Sequence, residues 1–275
     1  MNIKPFLRLS FTLPHMILLW LRGISIPSFL EYERYTHFFR YFPLGWIEKT
    51  NYVSIPFEGK RIKIYCGFHN PVALTEIFGR NEYGKLLPDI QGKEVVDVGA
   101  AYGDTMLYFA LRGAKRVYGY EIGKEDVEIA EKNIELNGLG DRCKIELCGI
   151  GKDSILTSDH PALTSFMTPE VLKNFKEVGM KSLATIVREH SLSDAILKID
   201  TDGFEYEIIG DADRDTLRRF EKIIIEFHYG IKDLAKKLNE CGFNTETTKT
   251  VKAHYKDNPE GFKDMEVGYL LATRE

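Results

Sequence analysis

Two clusters of residues in this chain have types and spacing that suit chemistry. The first is the run Val95-Val96-Asp97-Val98-Gly99-Ala100-Ala101-Tyr102-Gly103-Asp104, followed by a second apolar run that ends at Glu121. In doubly wound sheets a nucleotide-type ligand sits beyond the carboxyl ends of the strands, where the first strand turns sharply into its helix. Gly99 lets the backbone turn without a side chain in the way, and Gly103 keeps the helix start close to the ligand. Glu121, with Ile122 after it, is placed to accept both hydroxyls of a ribose. Asp104 either caps the helix or receives a donor from the ligand, and Asp97 lies just before the turn.

A dinucleotide would use the same geometry, but its fingerprint, G-x-G-x-x-G, needs bare backbone against a pyrophosphate. Here Ala101 stands where the second glycine belongs, and Tyr102 fills the loop. A ligand that carries a sulfonium and an amino-acid tail, S-adenosylmethionine, needs no phosphate cradle, and Asp97 suits its positive charge. The residues expected to hold that donor are Asp97, Gly99, Ala100, Ala101, Tyr102, Gly103, Asp104, Glu121, Ile122 and, from the second cluster, Asp200.

The second cluster is Asp200-Thr201-Asp202-Gly203-Phe204-Glu205, with Glu226 and His228 ending the next apolar run. Methyl transfer to a hydroxyl needs a group to handle the proton. Asp200 is the first choice for contacting the donor's amino-acid end or the acceptor, and Glu205 the second choice for the proton. His228 would be a base near neutral pH, or else a structural histidine. Asp202 and Glu205 could equally be first-turn acids that complement a helix dipole. Lys198, inside a buried strand pattern, is expected to pair with a nearby acid. Asp200, Asp202 and Glu226 offer oxygen ligands of the kind magnesium or calcium takes. Their spacing does not demand an ion, and no metal is expected. His15, His37, His69, His160, His190 and His254 show no ligand spacing with one another.

The elements that must position these groups alternate. From residue 93, strands are expected at 94–98, 116–121, 144–148, 195–200 and 222–227. Helices are expected at 104–112, 125–136, 182–190, 205–209 and 232–240. Such alternation implies parallel pairing with helices on both faces of an open sheet. The runs 243–247 and 267–273 lack a helix between them and suggest an antiparallel pair at one edge. The fold class is therefore α/β: a doubly wound, mostly parallel, seven-stranded Rossmann-like sheet with an antiparallel edge pair. Ahead of it, runs at 52–57 and 61–66 read as a hairpin around Glu58-Gly59-Lys60, and Asn70-Pro71 opens a short helix closed by Gly79. Residues 1–90 are expected to form an accessory region and residues 91–275 the donor-binding domain. The irregular stretch 151–182 holds His160, Ser154, Thr157, Ser158, Thr164, Ser165 and Thr168, and is where acceptor loops enter such folds.

Composition limits the classes available. Apolar residues make up 44% and charged residues 28% of 275, as in ordinary globular proteins. A net charge of −4 gives no global pull toward nucleic acid, which is not an expected partner. Four scattered cysteines, Cys66, Cys143, Cys148 and Cys241, read as reduced thiols in a cytoplasmic protein rather than as a zinc site. The apolar run 16–21, interrupted by Pro14, His15 and Arg22, is too short to span a membrane. It reads as an amphipathic segment that packs on the domain or supports oligomer formation. Docking to a membrane surface through Trp20, Phe29, Phe38, Phe39, Phe42 and Trp46 is the alternative.

Taken in order, VVDVGAAYGDT, YGYE, EKNIELNGL, LKIDTDGFEYEII and IIIEFHYG resemble the FkbM family of S-adenosylmethionine-dependent methyltransferases, over about residues 76–273. Family members carry D-x-E-G-x-E after the fourth strand, where this chain has Asp202 in place of the first Glu. The resemblance implies a methyltransferase of class I fold that acts commonly on a hydroxyl oxygen of a natural product or sugar. Two readings compete with it: an RNA methyltransferase, and a non-catalytic binding module that keeps the fold.

Overall fold

A computed structural model describes residues 52–65, 71–166, 169–248, 250–253 and 265–274. The apolar segment at 16–21 with its aromatic neighbours, Cys66, His69, Asn70, Thr168 and His254 lie outside the described residues.

A hairpin opens the described chain. Strands β1 (Tyr52–Phe57) and β2 (Lys60–Tyr65) pair antiparallel from Phe57↔Lys60 to Tyr52↔Tyr65. Glu58 and Gly59 both have positive φ, 46° and 75°, which is the two-residue turn whose twist suits a hairpin. The loop is thus one residue shorter than the sequence suggested, because Lys60 already pairs. Helix α1 (Pro71–Leu74) continues as a π-turn over Thr75–Gly79, and a short helix α2 (Glu82–Leu86), absent from the sequence reading, follows.

The alternating part then runs β3 (Glu94–Val98), α3 (Asp104–Leu111), β4 (Arg116–Glu121), α4 (Lys124–Leu136) and β5 (Cys143–Leu147). A small sheet interrupts it: β6 (Gly149–Ile150), β7 (Ser154–Leu156) and β8 (Val178–Lys181), in the order β6-β8-β7, with α5 (Pro161–Phe166) and α6 (Pro169–Asn174) between the last two. The alternation resumes with α7 (Leu183–His190), β9 (Ala195–Ile199), α8 (Glu205–Asp211), α9 (Arg214–Leu217), β10 (Phe220–Phe227), α10 (Lys232–Glu240), β11 (Phe243–Thr247), β12 (Val251–Ala253) and β13 (Met265–Arg274). Ser182, read as the first residue of α7, is its cap and accepts from the Thr185 amide at 3.2 Å.

The main sheet has the order β11-β13-β10-β9-β3-β4-β5. Its β10-β9-β3-β4-β5 part is parallel throughout, and β13 enters antiparallel to both β10 and β11. The antiparallel pair expected at one edge is thus β11 with β13, with β13 also closing onto β10. Alternation along each strand divides the core in two. Val96, Leu197, Ile199, Ile223 and Ile225 face α7, α8 and α10, with Ile186, Ile208 and Leu238. Val95, Val117, Ile196 and Ile224 face the other way, toward Met106, Leu107 and Ile134.

That second layer does not stop at residue 90. Ile62, Ile64, Leu74, Ile77, Tyr83 and Leu87 are buried in the same cluster as Val95 and Met106. Backbone mimicry pins the hairpin: Asn137 on the α4 cap accepts from the Lys63 amide at 2.8 Å and donates to the Lys63 carbonyl at 2.7 Å. Asn133, fully buried, accepts from the Tyr65 amide at 2.7 Å. The free edge of β2 thus finds side-chain partners where no strand lies. Ile64→Ala should accordingly cost about 2–4 kcal/mol in a single cooperative urea transition. A separate early transition, with the main one unshifted, would mean that the hairpin folds on its own.

Candidate active site

Both clusters meet at the carboxyl ends of β3, β4, β9 and β10. Leaving β3, the amides of Gly99 and Ala100 both donate to the Tyr120 carbonyl, at 3.0 and 3.1 Å. The loop then passes through three residues of positive φ: Gly99 (73°), Ala101 (42°) and Gly103 (75°). A Cβ on Gly99 would stand 1.8 Å from the Asp200 carbonyl oxygen, so that glycine is what lets the two strand ends touch. A Cβ on Gly103 would meet Ala130 at 3.0 Å. Gly103 therefore lets the start of α3 pack closely on α4.

Glu121, at the end of β4, gathers the loop. Its Oε2 accepts from the Ala101 amide at 2.9 Å, and its Oε1 accepts from Ile122 and Gly123 at 2.7 and 2.8 Å. Burial raises its carboxyl, and these three amides pull it back toward ionisation. One donor on Oε2 leaves that oxygen room to accept another. Ile122 packs partly buried against the core beneath, and the Tyr102 carbonyl accepts from Asn133 at 2.8 Å. Asn133 thus links the donor loop to the hairpin, a role that no local signal in the sequence marks.

Asp97 takes a different place from the one expected. Its side chain is fully buried, Oδ2 accepts from the Thr105 hydroxyl at 2.5 Å, and Oδ1 lies 3.0 Å from the Lys198 ammonium. That ammonium is off line for a well-aligned bond to Oδ1, so the contact is an ion pair first. Lys198 donates instead to the Gly99 carbonyl at 2.8 Å. Burial works against the lysine charge, yet Asp97 and then Asp200 raise it above its ordinary value, so the pair keeps its proton on Lys198. The charge of Asp97 is thus met within the protein by Lys198. The acid left beside the loop is Asp104, in the first turn of α3, whose Oδ1 accepts from the Thr105 amide at 2.9 Å. Burial pushes its carboxyl up to about 6.

The acidic turn is arranged around His228. Glu205 is fully buried, and its Oε2 accepts from the Thr201 hydroxyl at 3.0 Å and the Gly203 amide at 2.8 Å. Its Oε1 accepts from the His228 amide at 3.1 Å and ring Nδ1 at 3.0 Å. Four donors thus converge on the two Glu205 oxygens. The far ring nitrogen, Nε2, lies 3.4 Å from Asp202 Oδ1 and 4.0 Å from Asp200 Oδ1. Burial would lower the imidazole, but the Glu205 bond and charge, then Asp200 and Asp202, raise it to about 9. Between these carboxyls His228 is held as an imidazolium at neutral pH. Asp200 itself is one-third exposed at the rim, 3.9 Å from Lys198.

The rim has a second wall that the sequence reading did not include. Glu226 lies directly across from Tyr269 in the β10–β13 register. The Tyr269 hydroxyl stands 3.5 Å from Glu82 Oε2 on α2, and its ring meets the buried Tyr83 edge-on at 6.1 Å. Glu76 and Glu82 are bridged by Arg80 at 3.6 and 3.8 Å. On the other side, the His160 ring stacks on Phe204 at 5.0 Å and brings the 151–182 stretch to the acidic turn. The hydroxyls of Ser154, Thr157 and Thr164 close local turns there, on Lys152, Asp159 and Pro161. Among the described residues, no group of three or more His, Cys, Asp or Glu side chains could hold a metal ion. A hollow of about 620 Å³ between α4 and β5, lined by Glu131, Gly138 and Lys144, opens at the opposite, amino end of the strands and takes no part.

A mostly parallel Rossmann-like sheet closed by an antiparallel β13, with a glycine-bracketed loop after β3 and an acid ending β4, is the arrangement of class I methyltransferases. The chain belongs to the FkbM methyltransferase family: the family model described as "Methyltransferase FkbM domain" matches residues 97–245. An uncharacterized protein of Haemophilus influenzae is 30% identical over 108 residues, covering 38% of this chain and 42% of that protein. A Methanocaldococcus jannaschii protein, named as a candidate protein N5-glutamine methyltransferase, is 27% identical over 85 residues, covering 31% and 41%. The chain thus spans about two-fifths of the length of these curated relatives. The crystal structure of an M. jannaschii tRNA m1G37 methyltransferase aligns with a TM-score of 0.46 at 14% identity, over 83% of this chain and 58% of that one. No helix among the described residues is long and apolar enough to cross a membrane.

His228 has a folded value raised above the ordinary 6.5. Its contribution to stability is therefore complete below about pH 6.5 and is lost as pH rises through about 9. The loss is on the order of 3 kcal/mol. Glu226, raised by burial, slopes the same way, so the test is the difference between wild type and His228→Gln. Urea midpoints should converge between pH 6.5 and 9; a constant gap would refute the imidazolium.

Proposed function

We propose that this protein transfers a methyl group from S-adenosylmethionine to a hydroxyl oxygen of a small-molecule or sugar acceptor. The observation that carries the reading is the electrostatics of the loop. The Ala101 amide, which a pyrophosphate would need, is turned into Glu121, and Asp104 places a carboxyl at the start of α3 where a phosphate would otherwise bind. A loop closed to anions and edged with carboxyls fits a ligand that is cationic at sulfur and at its amino group. In this reading Glu121 Oε2 accepts a ribose hydroxyl, Ile122 and Tyr102 flank the ring system, and Asp104 with Asp200 meets the amino-acid end.

When bound, the donor supplies an electrophilic methyl on a sulfonium sulfur, whose positive charge vanishes as the new bond forms. The protein's part is alignment and exclusion of water. Lys198 and Gly99 fix the spacing between the loop and Asp200, so both sides of the transfer are held by one rigid joint. The His228 imidazolium, anchored by Glu205, sets the position of Asp200 and Asp202. Glu82, Asp200 and Asp202 place carboxylates around the acceptor rim, which favours a neutral polyol or glycoside over a polyanion such as RNA.

Isothermal titration should show S-adenosylmethionine binding, with no binding of NAD. Glu121→Ala should weaken donor binding by at least tenfold while leaving the melting temperature within a few degrees. Unchanged affinity would favour a module that keeps the fold without using this site. Labelled-donor turnover on total RNA, matched against methyl glycosides, decides the acceptor class, and RNA alone as acceptor would overturn the sugar reading.

A further inference from the structure

The acids of the rim differ in what holds them. Asp200 faces Lys198 at 3.9 Å and His228 at 4.0 Å, Asp202 faces His228 at 3.4 Å, and Glu205 is saturated. Glu226 stands apart: no described cation lies within ion-pair distance of it. The cations nearest to it, Lys198 and His228, are already engaged by Asp97 and Glu205. It ends β10 on the same face as His228, one step toward the sheet edge from Asp200, and is partly buried under residues from two other elements. These are Tyr269 of β13 directly opposite, and, through contacts with Tyr269, Glu82 and Tyr83 of α2. Among the rim carboxyls that face His228 or Lys198, Asp200 and Asp202 have a cation within 4.0 Å, whereas Glu226 has the Tyr269 ring and hydroxyl across the strand pair.

We propose that Glu226 is the catalytic proton acceptor for the acceptor hydroxyl, held by Tyr269 and shielded from water by the Glu82–Tyr83 segment. The assignment rests on the methyl-transfer reading above. As the acceptor oxygen bonds the methyl carbon and the methyl–sulfur electron pair stays with sulfur, the O–H proton passes to a Glu226 oxygen. The carboxylic acid formed then gives the proton to solvent, and no other co-reactant is needed. The environment suits the task. Burial, then the charge of Asp200, push Glu226 up to about 8, against the pull of Tyr269, His228 and Lys198. A base is most effective when its own value lies near the working pH. The hydroxyls of Tyr83 and Tyr269 are raised far above their ordinary value by burial and stay neutral, so they donate and do not compete for the proton. Residues 82 and 83, from the region ahead of the donor fold, thereby become part of the acceptor wall.

The test uses the full chain, S-adenosylmethionine, and a panel of methyl glycosides, polyols and phenols. In protein labelled with ¹³C-carboxyl glutamate, one signal should titrate near pH 8 and vanish in Glu226→Gln. Wild-type turnover should rise through the same pH. Glu226→Gln should bind the donor as tightly as wild type by calorimetry, yet turn over at least a hundredfold more slowly, with a flattened profile. Glu226→Asp, which keeps the carboxyl, should recover part of the rate and guards against a mere folding defect. Wild-type turnover in Glu226→Gln, or no carboxyl titrating above pH 7, would overturn the assignment while leaving methyl transfer intact. Donor binding with no panel member methylated would remove the hydroxyl acceptor and this base with it. Failure of wild type to bind the donor would remove the underlying reading itself.

Discussion

Lys198 and Asp97 lie side by side in the β3–β9 register, both almost sealed from water. Two buried charges are tolerable only as a pair, and removing either would strand the other. Here the pair also does geometric work, because the third partner of Lys198 is the Gly99 carbonyl at the first residue of the donor loop. The loop cannot drift from β9 without unpairing a buried ammonium. The 1.8 Å clearance that a Gly99 side chain would violate is the same joint seen from the other side.

From that joint the charges sort outward. Inside it, acid and base cancel. On the β4 side, Glu121 is occupied by three loop amides and becomes part of the loop's own scaffold. On the β10 side, Glu205 is occupied by four donors and keeps His228 charged, and His228 in turn stands over Asp200 and Asp202. A site that looks crowded with acids therefore has most of its negative charge committed to architecture. The proposed chemistry uses what remains: Asp104 toward the donor, Asp200 at the junction, and Glu226 toward the acceptor.

The sequence carried the parts of this that are local. Strand β3, strand β4 and helix α10 lie at or within a residue of where hydrophobic period, glycine stops and acidic ends put them. The parallel pairing of β10-β9-β3-β4-β5 and the antiparallel edge follow from the same alternation. What could not be read is non-local. Asn133 and Asn137 sit in an ordinary helical pattern, and their bonds to Tyr65 and Lys63 cross 68 and 74 residues. Tyr269 and Glu82 are separated by 187 residues. Charge states are non-local for the same reason: the chain order shows an acid or a histidine at a rim, while its charge depends on neighbours from other strands. His228 reads as a near-neutral base alone and as a cation beside Glu205. Ile62 and Ile64, ahead of the alternating part, share a core with Val95, another contact that no local pattern announces.

The central claim is that the loop after β3 and the acid at the end of β4 hold S-adenosylmethionine with its methyl aimed at the Asp200–Glu226 rim. A crystal structure with S-adenosylhomocysteine tests it most directly. The account predicts ribose hydroxyls on Glu121 Oε2, the ligand's amino group near Asp104 or Asp200, and the sulfur facing Glu226 across an open gap. A ligand bound elsewhere, or one in this cleft with its sulfur turned away from Asp200 and Glu226, would contradict it.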